Sequence, residues 1–430
     1  MNASNTRKIA YDIIYDVKYN KAYSNIAINK RLKKSDLDYR DRGFITELVY
    51  GTLSKLILLD YIIDVNSSIS LNKISKSALT VIELSIYQIM FMDSVSEFAA
   101  VNEGVKLIKK VDKRASGYAN ALLRNISSNK GHVNLENIRD KAEKLSVEYS
   151  VSKYIVSRFL RIYKEEFTIE LLKKLSERPK LTIRTNTLKI SSMELEILLT
   201  KEGIEVEKSS MIEDAFYIKN LKNIGSNELF QKGYFVIQDI SSMLAARELG
   251  AEEGEEVLDM CSAPGGKTFY MAQMMNNKGK IDAMDISEHK LKLLSGRASE
   301  LGVEIINIHK KDATVFDEKM LAKYDKILID APCSGFGIIR RKPEIRYKEY
   351  LDVKDLPLIQ AQIIANAGRY LKPGGTMVYS TCTLEKKENK DIIMSFLENN
   401  KGFILENMKE LYPNVDETDG FFIAKIKKER

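Results

Sequence analysis

The sequence predicts a multidomain chain in three parts: an all-α bundle over residues 1–130, a small α+β module over 131–235, and a doubly wound α/β domain over 236–430. Three observations lead there. The first stretch repeats apolar residues with a helical period and never alternates like a strand, the middle mixes helix-like with short strand-like segments, and the last alternates short apolar strands with amphipathic helices. A length of 430 residues also exceeds what one hydrophobic core usually serves.

In the first part, "RKIAYDIIYDVKYN" places Ala10, Ile13, Ile14 and Val17 at i, i+3, i+4 and i+7, which makes one apolar face. "ALTVIELSIYQIMFM" carries Leu79, Ile82, Ile86, Ile89 and Met90 over a broader apolar surface, as the central helix of a bundle does. The polar run "SSNKGHVNLEN", Ser127 to Asn137, marks a boundary. Beyond it "SKYIVSRFLRIYKEEF" reads as helix, and "KLTIRTNTL" and "DAFYIKN" as strands. From Val236 the strands are "EVLDM", "KIDAMD", "EIINIH", "KILID" and "GTMVYST", with "FILENM" and "GFFIAKI" closing a sheet covered by helices on both faces.

Composition narrows the function classes. A hydrophobic share of 44% with 30% charged residues is globular, the N-terminus lacks the apolar run of a signal peptide, and "LILLDYIIDV" is interrupted by Asp60 and short of a span. A soluble cytoplasmic protein with no membrane partner is expected. Cys261, Cys333 and Cys382 lack metal-type spacing, so neither a disulfide framework nor a metal site is expected. The net charge of +7 is compatible with a polyanionic partner, but 67 basic against 60 acidic residues do not by themselves name RNA.

The chemistry gathers at strand ends. "VLDMCSAPGGKT" sets Pro264, Gly265 and Gly266 where the first strand of the sheet turns into a helix, so the backbone can approach a ligand closely. Neither Walker A spacing nor G-x-G-x-x-G is present, which argues against a P-loop and the usual dinucleotide fingerprint. Asp285 ends the second strand, placed to accept hydrogen bonds from ribose hydroxyls, and Asp312 follows the third, placed against an exocyclic amine; together they predict an adenosine-type cofactor. Cys333 follows the fourth strand in "ILIDAPCS" and Cys382 the fifth in "MVYSTCTLEKKEN". A free cysteine is most often a small buried hydrophobe. These two instead follow their apolar runs, with small polar neighbours, and consecutive parallel strands tend to pair, so both sulfurs can flank one cleft.

"LDMCSAPGGKT", "DAPCSGFGIIRRKPEIRY" and "YSTCTLEKKEN" resemble motifs I, IV and VI of the RNA cytosine-C5 methyltransferases that use S-adenosylmethionine. "DRGFITELVYGTLSKLILLDYII", "ELSIYQIMFMDSVSEFAAVNEGVKLIKK" and "GYANALLRNI" resemble the NusB-like domain that, joined to such a catalytic domain, marks the bacterial 16S ribosomal RNA enzymes of the Sun/Fmu type. The resemblance implies a NusB-like bundle, a Rossmann-like class I methyltransferase domain, S-adenosylmethionine as cofactor and 16S ribosomal RNA as partner; no metal and a monomer are expected. It assigns cofactor contact to Cys261, Ser262, Ala263, Pro264, Gly265, Gly266, Lys267, Asp285, Asp312 and Asp330.

Carbon 5 of cytosine is a poor nucleophile, and a thiolate adding at carbon 6 supplies the missing electron density. Chemistry alone leaves either thiol as the attacker. The resemblance assigns attack to Cys382 and product release to Cys333, as base or proton relay, while Asp330 holds the N3 and amino edge and Lys267 lowers the thiol's pKa or holds the base. Arg340, Arg341, Lys342 and Arg346 follow the cysteine loop where a phosphate backbone must pass, and Arg184 with Asn186 matches a family position expected to help build the RNA groove. "KLIKKVDKR", Lys106 to Arg114, is a weaker candidate, because a helix of alternating charge needs no partner. A stacked target base would have to be flipped out or already unpaired. The competing readings are a noncatalytic RNA-binding factor and a DNA cytosine methyltransferase with its nucleophile at Cys333.

Overall fold

A computed structural model describes residues 3–33, 37–129, 133–221 and 224–430. The chain divides into two compact units, Met1–Glu177 with Ile339–Tyr350, and Arg178–Ile338 with Leu351–Arg430.

The first unit is helical. Helix Lys76–Phe91, opened by the Ser75 side chain on the Ala78 N–H, packs against helices Ala3–Tyr19, Tyr39–Leu53, Leu56–Asn66, Glu97–Val111 and Ser116–Ser128. From Thr80 to Ile89 it is buried on every face, polar residues included. Gln88 accepts from Arg7 at 2.8 Å, Glu83 pairs with Lys18, and burial lifts the Glu83 carboxyl to about 8. The expected boundary at Ser127–Asn137 includes residues 130–132, which lie outside the described residues. Compactness continues past it. Helices Lys141–Tyr149, Lys153–Ile162 and Glu165–Leu175 belong to this unit, and Val147 enters the same apolar core as Leu59 and Ile62, because an amphipathic helix must lay its apolar face on something.

The second unit holds two sheets. The smaller is antiparallel in the order β2-β3-β1-β4, built from β1 (Leu181–Thr185), β2 (Glu205–Lys208), β3 (Ala215–Lys219) and β4 (Phe235–Ile237). The sequence signalled β1 and β3. β2 is a charged edge strand and β4 has three residues, so neither carries a readable period.

The larger sheet has seven strands in the order β10-β11-β9-β8-β5-β6-β7: β5 (Glu256–Asp259), β6 (Lys280–Asp285), β7 (Ile306–Lys310), β8 (Tyr324–Asp330), β9 (Leu371–Thr381), β10 (Phe403–Leu411) and β11 (Phe421–Lys428). β5 to β9 run parallel, β11 is antiparallel to β9, and β10, antiparallel to β11, runs in the parallel direction again, a Rossmann-like arrangement. One detail departs from expectation. "KPGG" lies inside β9 as a register shift, Tyr324 pairing with Leu371 but Lys326 with Thr376, and Gly374 takes φ +77° within it. No described helix is long and apolar enough to cross a membrane.

Candidate active site

At the edge of the larger sheet formed by the carboxyl ends of its parallel strands, β5 stops at Asp259, β6 at Asp285, β8 at Asp330 and β9 at Thr381. Parallel register aligns them, with Asp259 opposite Leu328 and Asp330 opposite Ser380. This is the edge where open α/β sheets collect ligands.

The loop after β5 turns at Gly265, whose φ of +110° suits glycine, and a Cβ there would come within 2.4 Å of the Phe269 ring. Helix Gly266–Met274 starts at once, leaving its first N–H groups without helical partners beside the loop. Asp285 ties the loop down: Oδ2 accepts from the Ala263 N–H at 3.2 Å and Oδ1 from the Ser287 N–H at 2.8 Å. Ser262 donates from its N–H and hydroxyl to the Met284 carbonyl. Asp312 is exposed, and the hydroxyl and N–H of Thr314 hold its carboxyl below the usual range.

Asp259 accepts from the Thr268 hydroxyl at 2.7 Å while its Oδ1 is buried without a hydrogen-bond partner among the described residues, and burial lifts the carboxyl to about 7. Lys267, 8% exposed, sets Nζ 2.7 Å from Asp330 Oδ2, and Asp330 Oδ1 accepts from the Ser380 hydroxyl at 3.2 Å. Cys261 lies half-buried against the apolar core, and burial, followed by nearby carboxylates, pushes its thiol well up.

Cys333 and Cys382 are half-buried thiols not joined in a disulfide, their sulfurs 3.1 Å apart, well beyond the roughly 2.05 Å of an S–S bond. Their loops are joined by other contacts: Ser334 Oγ meets Thr383 Oγ1 at 2.6 Å, and the Gly337 N–H donates to the Cys382 carbonyl at 3.0 Å. Gly337 also lies against Gly420, where a Cβ would come 1.9 Å from the Gly420 carbonyl oxygen. The hydrogen bond to Cys382 and burial hold the Cys333 thiol well above its usual range.

Two basic residues expected at an RNA surface are elsewhere. Arg346, 2% exposed, donates to the carbonyls of Tyr149 at 3.1 Å and Leu175 at 2.6 Å, the last residues of helices Lys141–Tyr149 and Glu165–Leu175. A guanidinium suits that place because it satisfies carbonyls left over at two helix ends and faces the negative pole of each dipole. Arg184 is fully buried: Nε donates to Gln238 at 2.9 Å, the guanidinium lies 4.3 Å over the Tyr270 ring, and burial lowers its pKa to about 9. Asn186 is equally buried, donating to the Gly233 and Leu301 carbonyls and accepting from Gln273. These two fasten the small sheet to helices Gly266–Met274 and Glu288–Leu301, which accompany the larger sheet, and are buried rather than offered to a surface. Arg340, Arg341 and Lys342 are partly exposed.

Sequence reasoning left other residues without a role. Asp259 and Glu388 stood inside quoted motifs, Ile286 is 67% exposed just past Asp285, and Gln360, fully buried, showed itself only as a polar position in the apolar helix Leu356–Tyr370. The glycine turn, the free helix N–H groups, the Asp285 carboxylate and the exposed apolar Ile286 together fit a ligand with a carboxylate tail, a ribose and a purine.

The profile of the family described as 16S rRNA methyltransferase RsmB/F matches residues 246–427, that of the NusB family residues 4–128, and that of an RsmF/B-like ferredoxin-like domain residues 151–224. The chain is 35% identical, over 100% of both chains, to the probable ribosomal RNA small subunit methyltransferase B of Bacillus subtilis. It is 31% identical to the 28S rRNA (cytosine-C(5))-methyltransferase of Mus musculus over 66% of this chain and 40% of that one. The solved structure of a methyltransferase homolog protein from Pyrococcus horikoshii covers 68% of this chain and 100% of its own, with 31% identity and a TM-score of 0.61.

Proposed function

Since the chain belongs to the RsmB/F family of 16S rRNA methyltransferases, which use S-adenosylmethionine, we propose that it methylates carbon 5 of a cytosine in small-subunit ribosomal RNA through a transient bond from Cys382. The observation that carries this reading is the pair of sulfurs 3.1 Å apart at the ends of β8 and β9, beside the Lys267–Asp330 pair.

When bound, S-adenosylmethionine supplies the electrophilic methyl group. The Cys261–Lys267 loop, Asp285 and Asp312 hold it, with Ile286 offering an apolar face to the purine. Asp330, oriented by Lys267 and Ser380, accepts from the amino group of the cytosine and orients the ring, while the Lys267 ammonium beside it offsets the negative charge that develops as the ring is attacked. Cys382, its thiol proton released to solvent, adds as the thiolate through sulfur to carbon 6, moving the ring's 5,6 electron pair onto carbon 5. After methylation, loss of the carbon 5 proton restores the double bond and expels the Cys382 sulfur.

The Cys333 sulfur, 3.1 Å from that of Cys382, is placed to pass a proton to the departing Cys382 sulfur. The resulting Cys333 thiolate receives the proton from carbon 5.

Uptake of labelled methyl groups into small-subunit ribosomal RNA, with denaturing gels of the reaction, tests this. Cys382→Ala abolishes transfer, whereas Cys333→Ala accumulates a slowly released protein–RNA adduct. An adduct with C382A and none with C333A would reverse the two assignments.

A further inference from the structure

The two peptide groups flanking Cys333 are held by one pair of buried side chains. Gln360 Nε2 donates to the carbonyl of Pro332 at 2.9 Å, and Glu388 Oε2 accepts from the N–H of Ser334 at 2.9 Å. The pair is also bonded to itself, Gln360 Nε2 to Glu388 Oε2, at 2.9 Å. Gln360 is 0% and Glu388 1% exposed. The amide orientation follows from the partners, since both groups facing the Gln360 nitrogen are acceptors; its Oε1 is left buried without a hydrogen-bond partner among the described residues.

Glu388 sits on the stretch that follows Cys382, and its own carbonyl accepts from the Tyr379 hydroxyl at 2.7 Å, so the carboxylate is anchored to β9. Gln360 comes from helix Leu356–Tyr370, which packs on β8 and β9. Besides the Ser334 hydroxyl against Thr383 Oγ1, the loop Pro332-Cys333-Ser334-Gly335 has only small side chains to fix it, and its two peptide groups beside the thiol are held by the Gln360–Glu388 pair. Its thiol is therefore located by these backbone contacts, and none of the roles already assigned uses Glu388 or Gln360.

We propose that Glu388 and Gln360 are positioning residues that clamp both sides of Cys333 and so hold its thiol against the Cys382 sulfur for product release. This rests on the assignment of release to Cys333. The clamp acts through geometry: what it requires of residue 388 is an oxygen that accepts from Ser334 and Gln360, which glutamine provides and alanine does not.

The full-length protein carrying Glu388→Ala, Glu388→Gln or Gln360→Ala tests this, with C382A and C333A beside them. Expected is a fall in kcat of about tenfold or more for E388A and Q360A, with KM for S-adenosylmethionine and for RNA within about threefold of wild type, and adduct accumulating on denaturing gels as in C333A. E388Q keeps nearly wild-type kcat and adduct level. The clamp is overturned if E388A turns over and releases RNA like wild type, if its loss is matched by a proportional rise in KM for the cofactor, or if E388Q is as impaired as E388A, which would place the effect in the carboxylate's charge. Should E388A fail to fold, Q360A cuts the same clamp from the helix side and decides on the same criteria. Methyl transfer persisting in C382A would instead sink the nucleophile assignment, whatever the clamp variants do.

Discussion

Arg346 and Glu388 show how much a single side chain's meaning depends on residues far away in the chain. Arg346 stands in a basic run, yet its partners are the carbonyls of Tyr149 and Leu175 at two helix ends. Replacing it with alanine strips both carbonyls of a charged donor and leaves a void, so R346A should lose about 2–4 kcal/mol of unfolding free energy in urea titrations. R346M keeps most of the volume and avoids burying a charge, and should lose less. A cost within experimental error for R346A would return Arg346 to the surface. The strand-end acids and both cysteines were legible because each follows an apolar run that stops at a sheet edge. Glu388 and Gln360 were not, since a buried polar residue leaves no period and its partners are chosen only by folding.

Among the elements, the parallel strands were the most readable, since a strand covered on both faces is a continuous apolar run. The exception inside β6 is informative. Asp282 is 2% exposed in the middle of that strand and is met by Lys323 and Tyr324 at 2.8 Å and His309 at 3.2 Å. Burial pushes this carboxyl up, but the hydrogen bonds from Lys323, Tyr324 and His309 outweigh it and bring it down to about 2. A depressed folded-state pKa stabilises above the unfolded value near 3.8 and stops doing so as pH falls toward 2. D282N should therefore cost about 2 kcal/mol at pH 7, and the gap to wild type should close between about pH 4 and pH 2 in urea titrations. A gap independent of pH would mean that the carboxylate's charge contributes nothing. The β2 and β4 strands stayed hidden because their length and edge position give periodicity nothing to act on.

At the scale of the whole molecule, the excess of +7 suits a polyanion, and the proposed RNA contact makes a salt-dependent prediction. Each phosphate neutralised on a single strand contributes about −0.7 to the slope of log K against log salt, so replacing Arg340, Arg341 and Lys342 together by alanine should flatten that slope by up to about 2. R346A should leave the slope unchanged, because a guanidinium held between helix ends releases no counterions on binding. Binding titrations of small-subunit ribosomal RNA over a range of salt concentrations read both. What the sequence determined by itself was the order of elements, the sheet edge where chemistry gathers and the residue types placed there, since these follow from local periodicity and from motifs contiguous in the chain. Only the tertiary structure decided which cations are buried, how far the helical unit extends and what holds the two sulfurs together, because burial, hydrogen-bond partners and the 3.1 Å sulfur contact arise between residues that become neighbours when the chain packs.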